Sequence, residues 1–192
     1  VAMQILNSGR TGLGGGSVGG MKRLIELATR QVNERKTFGQ PIASYGAIKE
    51  KIGRMVVDCY TSEAVVTMVG GLIDSGYQDY AVEAAISKVY ATECLARTAD
   101  EALQIAGGNG FMRDYPYERI VRDCRINRIF EGTNEILRLF IALTAMNDVG
   151  SQLQELAASM KGVLNDPIKG FGVLSDYARK HAQLVTGRGE TG

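Results

Sequence analysis

Helical periodicity runs through most of this sequence and constrains its fold more than any other feature. Between Ala47 and Asp74, the residues Ile48, Ile52, Met55, Val56, Cys59, Val66 and Val69 recur at the spacing that gathers side chains on one face of an α-helix. Gly70 and Gly71 weaken the end of this stretch, and Ser75-Gly76-Tyr77-Gln78-Asp79 reads as a turn. From Tyr80 to Ala106, Val82, Ala85, Ile86, Val89, Ala96, Ala99 and Leu103 form a second stripe, with alanines that let helices approach closely. Met21 to Val32 repeats the pattern through Leu24, Ile25, Leu27, Ala28 and Val32, and a further helix is expected from Thr133 to about Met146. Only three prolines interrupt 192 residues. The expected fold is all-α: an antiparallel helical bundle of four long helices, with short helices toward the C-terminus. Short connections favour antiparallel neighbours.

The bulk numbers fit one ordinary globular domain with a real core: 45% hydrophobic and 22% charged residues. A net charge of +1 gives no global field to recruit nucleic acid or an acidic membrane. Arg113, Arg119, Arg122, Arg125 and Arg128 are interleaved with Asp114, Glu118 and Asp123, so this basic run reads as a salt-bridged helical segment and not as a nucleic-acid stripe. Cys59, Cys94 and Cys124 are odd in number and widely spaced, which argues against a disulfide framework or a zinc site and fits a reducing compartment. His181 is the only histidine, so His-dependent nucleophilic catalysis and a His-rich metal centre are not expected. No metal is expected, and any general base is Glu or Asp. No apolar run is expected to span a bilayer. The opening at Val1, with no Met and no signal-like segment, reads as a cut or processed boundary.

Three breaks punctuate the helices. In the first, Gly14, Gly16 and Gly19 satisfy GxGxxG, but a dinucleotide site needs a preceding strand, and Val1 to Leu6 is a poor one. The stretch reads either as a flexible loop or as a helix packed unusually closely. In the second, Arg35-Lys36-Thr37-Phe38-Gly39-Gln40-Pro41-Ile42, Arg and Thr could hold an anion while Phe38 stacks on a flat ligand. The commoner alternative is a basic helix end followed by a core-anchoring Phe. In the third, Gly107-Gly108-Asn109-Gly110 stops a helix one turn after Gln104 and leaves backbone open to a ligand. Beyond Gly150, Leu153, Leu156, Met160 and Leu164 make one amphipathic face. Phe171, Leu174, Ala178 and Val185 make another, suited to a membrane surface or to a further part of the protein.

The segment Arg128-Ile129-Phe130-Glu131-Gly132-Thr133-Asn134-Glu135 offers a site. Thr133 is a good N-cap for the run Ile136, Leu137, Phe140, Ile141, Leu143. Glu131 therefore sits at the mouth of a helix, with apolar residues before it and no bulk after it. Burial raises a carboxylate's pKa and a helix N-terminus lowers it, so such a place can hold a base that ionises near working pH. The bland alternative is a surface acid that compensates the helix dipole.

Taken together, Arg35-Lys36-Thr37-Phe38-Gly39, Gln104-Ile105-Ala106-Gly107-Gly108-Asn109-Gly110-Phe111 and Arg128 to Glu135 resemble, in order and spacing, the C-terminal helical domain of acyl-CoA dehydrogenases. The resemblance covers roughly residues 1–146. Asn7-Ser8-Gly9-Arg10 and the tail look most like the mitochondrial very-long-chain branch and its relative implicated in respiratory complex I assembly. The resemblance implies residues 1–149 as the family's C-terminal domain and 150–192 as the start of an amphipathic extension, whose apolar faces over 150–187 suit peripheral membrane contact, another chain or a further part of the protein. It implies oxidation of long or very long acyl-CoA to the trans-2-enoyl-CoA with FAD as cofactor, electron-transfer flavoprotein as electron acceptor, a mitochondrial location and a homodimer at least. The relative implies the alternative, a helical scaffold for complex I assembly.

By the same resemblance Glu131 is the base, and its backbone N–H stabilises the enolate-like oxygen. Asn7, Arg10 and Gly132 line the acyl-CoA site. Thr133 and Glu135 meet the flavin, Gln104, Gly107 and Gly108 meet its adenosine part, and Arg35, Thr37 and Phe38 reach the neighbouring subunit's FAD. The glycine-rich stretch aligns with a helix. Glu135 stands where several members have Gln, and Gly46 where many shorter-chain members have Gln. The family's N-terminal helical and middle β domains lie outside this sequence, so the chain alone is expected to have little or no dehydrogenase activity.

Overall fold

The computed structural model describes residues 2–163. It holds four long helices: α1 (Ala2–Glu34), α2 (Gly46–Asp74), α3 (Ala81–Ala106) and α6 (Asn134–Val163). Two shorter ones, α4 (Gly108–Phe111) and α5 (Tyr117–Arg125), lie between α3 and α6. A two-residue hairpin, β1 (Lys36–Thr37) with β2 (Gln40–Pro41), turns the chain from α1 toward α2, pairing Lys36 with Pro41 and Thr37 with Gln40. The chain divides into two compact units, Val1–Ala142 and Leu143–Gly192.

In the first unit the expected stripes become the core. Val18, Met21, Leu24, Ala28 and Val32 of α1 pack with Met55 and Cys59 of α2 and with Cys94, Leu95, Ala99, Ala102 and Ile105 of α3. Tyr117 and Cys124 of α5 join them. Fully burying a side chain such as Leu24 is worth about 1.5–3 kcal/mol, so the stripes drive the assembly. Polar contacts set the register. Lys51 pairs with Glu101, Asp58 accepts from Arg97 Nε at 3.1 Å, and the Tyr90 hydroxyl donates to Thr61 Oγ1 at 2.9 Å, so α2 and α3 run antiparallel. Gly14 lies against Ser87 and Gly20 against Leu95, so α1 and α3 run parallel, with α2 reversed between them in sequence.

The structure corrects several details. Of the two readings of the glycine-rich stretch, the closely packed helix holds and the loop does not: it is continuous helix within α1, with no strand before it among the described residues. A Cβ at Gly14 would overlap Ser87 Oγ and come within 3.0 Å of Val66 Cγ2, so here glycine lets three helices meet. Val56 and Ile86, expected in the core, are exposed. The buried line of α2 runs Met55, Cys59, Ser62, Val69, one position off Val56. That of α3 includes Ser87, Lys88, Thr92 and Thr98, because this helix packs against α1, α2 and α5. Phe38 does not anchor the core; it is 97% exposed. By length and mean hydropathy α2 would pass for a membrane span, contrary to the expectation from sequence. Its polar contacts with α1 and α3, Lys22–Glu63 among them at 2.5 Å, make it a bundle helix.

In the second unit, the helix expected to end near Met146 continues through Gly150 to Val163. It exposes Leu143, Met146, Val149 and Leu153. The expected amphipathic segment with Phe171, Leu174, Ala178 and Val185 lies outside the described residues, as do the side chains of Leu156 and Met160.

Candidate functional site

The segment between α5 and α6 carries the site. After α5, a 3-10 turn (Ile126–Arg128) leads to Glu131 and Gly132, whose φ angles are +57° and +91°. Gly132 adopts this region freely, but a side-chain-bearing residue there costs roughly 1 kcal/mol or more. Thr133 then caps α6 as expected: its carbonyl accepts from Leu137 N–H at 3.0 Å and its Oγ1 from Ile136 N–H at 3.4 Å. The Glu135 carboxyl is held below the usual range by its own backbone N–H and by the Thr133 hydroxyl.

Two cationic side chains grip this turn from different helices. Arg10 of α1 donates from Nε to the Glu131 carbonyl at 3.1 Å and from Nη1 to Asn7 Oδ1 at 3.2 Å. Lys88 of α3 donates to the next carbonyl, that of Gly132, at 2.8 Å, and to Asn134 Oδ1 at 2.7 Å. Asn134 is fully buried and donates from Nδ2 to Thr92 Oγ1 at 3.0 Å and to Glu93 Oε1 at 2.9 Å. Glu93 in turn pairs with Arg128 at 3.2 Å and Arg138 at 3.1 Å. Burial alone would raise the Glu93 carboxyl, but bonds from Asn134, Arg128 and Arg138 outweigh it and hold the group low. Lys88 shows the opposite balance. Burial, and then the nearby Arg10, push its ammonium down to about 8, against the pull of Glu135, Glu93 and Glu131.

Within this frame the Glu131 carboxyl has no hydrogen-bond or ion-pair partner among the described residues. Its Oε2 is buried and makes no hydrogen bond. The group lies over Gly9 of α1, where an added Cβ would come within 3.3 Å of Cδ and Oε1 and 3.4 Å of Oε2. Nor does the Glu131 N–H donate to any group among the described residues. Carboxyl and N–H from one residue are thus both available to a ligand, on a turn fixed by Arg10 and Lys88. Such an acceptor–donor pair can take a proton and stabilise the oxyanion that forms as it leaves.

Of the expected site residues, Asn7, Arg10, Glu131 and Gly132 come together, and Thr133 and Glu135 adjoin them at the start of α6. The others lie on two separate breaks. Arg35, Thr37 and Phe38 form the hairpin, where Phe38 holds φ +50° beside Gly39 at φ +83°. The Thr37 carbonyl accepts from the Tyr45 hydroxyl at 2.9 Å. Gln104, Gly107 and Gly108 end α3, all exposed, with Gly107 at φ +62° donating to the Gln104 carbonyl at 3.1 Å. Lys88, Gly9, Thr92, Glu93 and the role of Asn134 escaped the sequence reading. Lys88 left a signal: a lone lysine on the buried line of α3, in register with Ala84, Ala91 and Leu95.

Fold and site together define an all-α domain that presents one firmly held carboxyl at a helix mouth. The chain belongs to the acyl-CoA dehydrogenase family: residues 1–146 match the model of the acyl-CoA dehydrogenase C-terminal domain. The human very long-chain specific acyl-CoA dehydrogenase, a mitochondrial protein, is 42% identical over 98% of this chain. A probable acyl-CoA dehydrogenase of Bacillus subtilis is 41% identical over 75% of it. This chain spans 28% and 27% of those relatives' lengths. Among solved structures, an acyl-CoA dehydrogenase of Bacillus anthracis complexed with FAD aligns with a TM-score of 0.75 and 38% identity, over 85% of this chain and 32% of that one. Butyryl-CoA dehydrogenase of Megasphaera elsdenii aligns with 0.73 and 30%, over 76% and 38%.

Proposed function

We propose that this chain is the catalytic C-terminal domain of an FAD-dependent acyl-CoA dehydrogenase acting on long or very long acyl chains, with Glu131 as its base. The observation that carries the proposal is the buried, unpartnered Glu131 Oε2 on a turn gripped by Arg10 and Lys88. A surface acid compensating a helix dipole would need neither the burial nor the left-handed backbone.

The residues fit FAD. Arg35 is an exposed cation with no ion pair among the described residues, suited to a phosphate. The exposed Phe38 ring suits stacking on a flat group, and Thr37 beside it, Gln104 at the end of α3, and Thr133 and Glu135 at the start of α6 each offer polar groups. Gly107 and Gly108 offer backbone with open space where a side chain would stand. When bound, FAD accepts the β-hydrogen with its electron pair.

The chain's own residues perform the other half. Glu131 takes the α-proton, and the C–H pair left behind becomes the new C=C bond as the β-hydride departs. Two hydrogens and two electrons leave the acyl chain, giving the trans-2-enoyl-CoA. The Glu131 N–H faces the thioester oxygen as negative charge grows there, a contribution of about 3–4 kcal/mol for a preorganised donor. Asn7, Arg10 and Gly132 border the acyl-CoA. Phe38, uncovered by the described residues, supports a homodimer in which the hairpin reaches the neighbouring subunit's cofactor. Electron-transfer flavoprotein as acceptor and a mitochondrial location belong to the same proposal, the latter resting on the mitochondrial relatives. The scaffold alternative has no observation of its own here.

Incubating the full-length holoprotein with palmitoyl-CoA and an artificial electron acceptor tests the reaction. Mass spectrometry should show a product two hydrogens lighter with a trans-2 double bond. Unchanged substrate at every chain length from four to twenty carbons would refute it.

A further inference from the structure

The function proposed above uses a carboxylate, but the most unusual group near it is a cation. Lys88 is fully buried, on a stripe where its neighbours are Ala84, Ala85, Ala91 and Leu95. Lysine is almost never fully buried unless paired, and an apolar side chain of similar length would fill this space without the desolvation cost. The lysine therefore calls for a role beyond packing.

We infer that Lys88 is a positioning residue for the base: reaching from α3, its ammonium holds the Gly132 carbonyl while Arg10, reaching from α1, holds the carbonyl of Glu131, and together they fix where the Glu131 carboxyl and N–H lie. The inference rests on the function proposed above. Three observations carry it. Glu131 and Gly132 both take positive φ, so the turn needs outside contacts to hold a conformation that Glu alone disfavours. Successive carbonyls are gripped by different helices, which leaves the peptide between them little freedom to rotate. Lys88 is itself held by Asn134, whose amide is fixed by Thr92 and Glu93, and Glu93 is fixed by Arg128 and Arg138. The network ends at the turn, and none of its members bonds the Glu131 carboxyl, which stays available to a substrate.

The test compares full-length holoprotein with its Lys88→Met form, which keeps side-chain length and loses every donor. Anaerobic stopped-flow measures flavin reduction by palmitoyl-CoA and by its α,α-dideuterated form. A misplacement approaching 1 Å costs about 100-fold, so the rate per bound flavin should fall about 10- to 100-fold. The α-deuterium isotope effect should rise, because proton removal becomes more limiting, while palmitoyl-CoA affinity changes by less than about threefold. Independently of activity, amide hydrogen exchange should quicken in the peptide spanning residues 129–134. A merely structural role would lower FAD content or thermal stability and leave the rate per flavin and the isotope effect alone.

A Lys88→Met rate within about threefold of wild type, with unchanged isotope effect and exchange, overturns the inference. If that form loses FAD, Lys88→Gln, with a donor on a shorter arm, is judged by the same readouts. Failure of the wild type itself to bleach sinks the proposed function instead, so the two failures are distinct.

Discussion

Replacing Gly9 with alanine should make the protein more stable and slower at once. Gly9 is half-buried on α1, and its missing side chain is the space the Glu131 carboxyl occupies. An added methyl would stand 3.3 Å from Cδ and Oε1 and 3.4 Å from Oε2. Comfortable contacts to carbon lie nearer 3.5–4.0 Å, so the carboxyl must withdraw by a few tenths of an ångström. Arg10 and Lys88 hold the backbone, so the displacement falls on the side chain. Scaling from about 100-fold per ångström, the rate constant for flavin reduction should drop about 3- to 10-fold, or roughly 0.7–1.4 kcal/mol of barrier. Glycine inside a helix costs about 0.5–1 kcal/mol against alanine, so thermal unfolding should move upward. Gly12→Ala is the control: its methyl meets nothing within 4 Å, so it should bring the stability gain without the rate loss. Stopped-flow reduction and thermal unfolding of the three holoproteins decide the matter. A Gly9→Ala protein that reduces its flavin as fast as wild type would refute the placement of the carboxyl over Gly9.

Two further outcomes follow from the packing and the charges. Gly14→Ala should be about 1–3 kcal/mol less stable than Gly15→Ala in chemical denaturation, because the first overpacks Ser87 and Val66 while the second meets open space. Equal stabilities would contradict the close approach of α1 to α2 and α3. Lys88 has a pKa of about 8 in the fold against 10.5 in the unfolded chain. Between those values the unfolded state binds the extra proton, so stability rises with pH, by up to about 1.4 kcal/mol per unit for one group. The stability of wild type relative to Lys88→Met should therefore be flat below pH 8 and climb from there to pH 10.5. A difference that stays flat across that window would show that Lys88 does not titrate as its burial requires.

The long helices were legible because buried faces repeat with the helical period, and the substitution of one stripe position for another, as at Val56, changes a face without changing an element. The segment around Gly14 was not legible from local preference. Seven glycines from Gly9 to Gly20 left a loop and a closely packed helix both open, but tertiary packing overrides propensity where helices must touch, and the family resemblance favoured the helix that periodicity could not decide. Glu131 was legible as a candidate from its neighbours, an N-capping threonine and a glycine. What holds it was not. Lys88, Thr92 and Glu93 lie about forty residues upstream, and only the packing of α3 against the start of α6 brings them to Asn134. Phe38 offered two readings from sequence, a core anchor or a stacking surface, and its exposure on a left-handed turn removes the first.

The most direct test of the account is anaerobic reduction of the full-length holoprotein's flavin by palmitoyl-CoA, wild type beside Glu131→Gln. The account predicts rapid bleaching in wild type and none in the variant, with equal FAD content and bound acyl-CoA in both. A variant that bleaches as fast as wild type would contradict the assignment of Glu131 as the base.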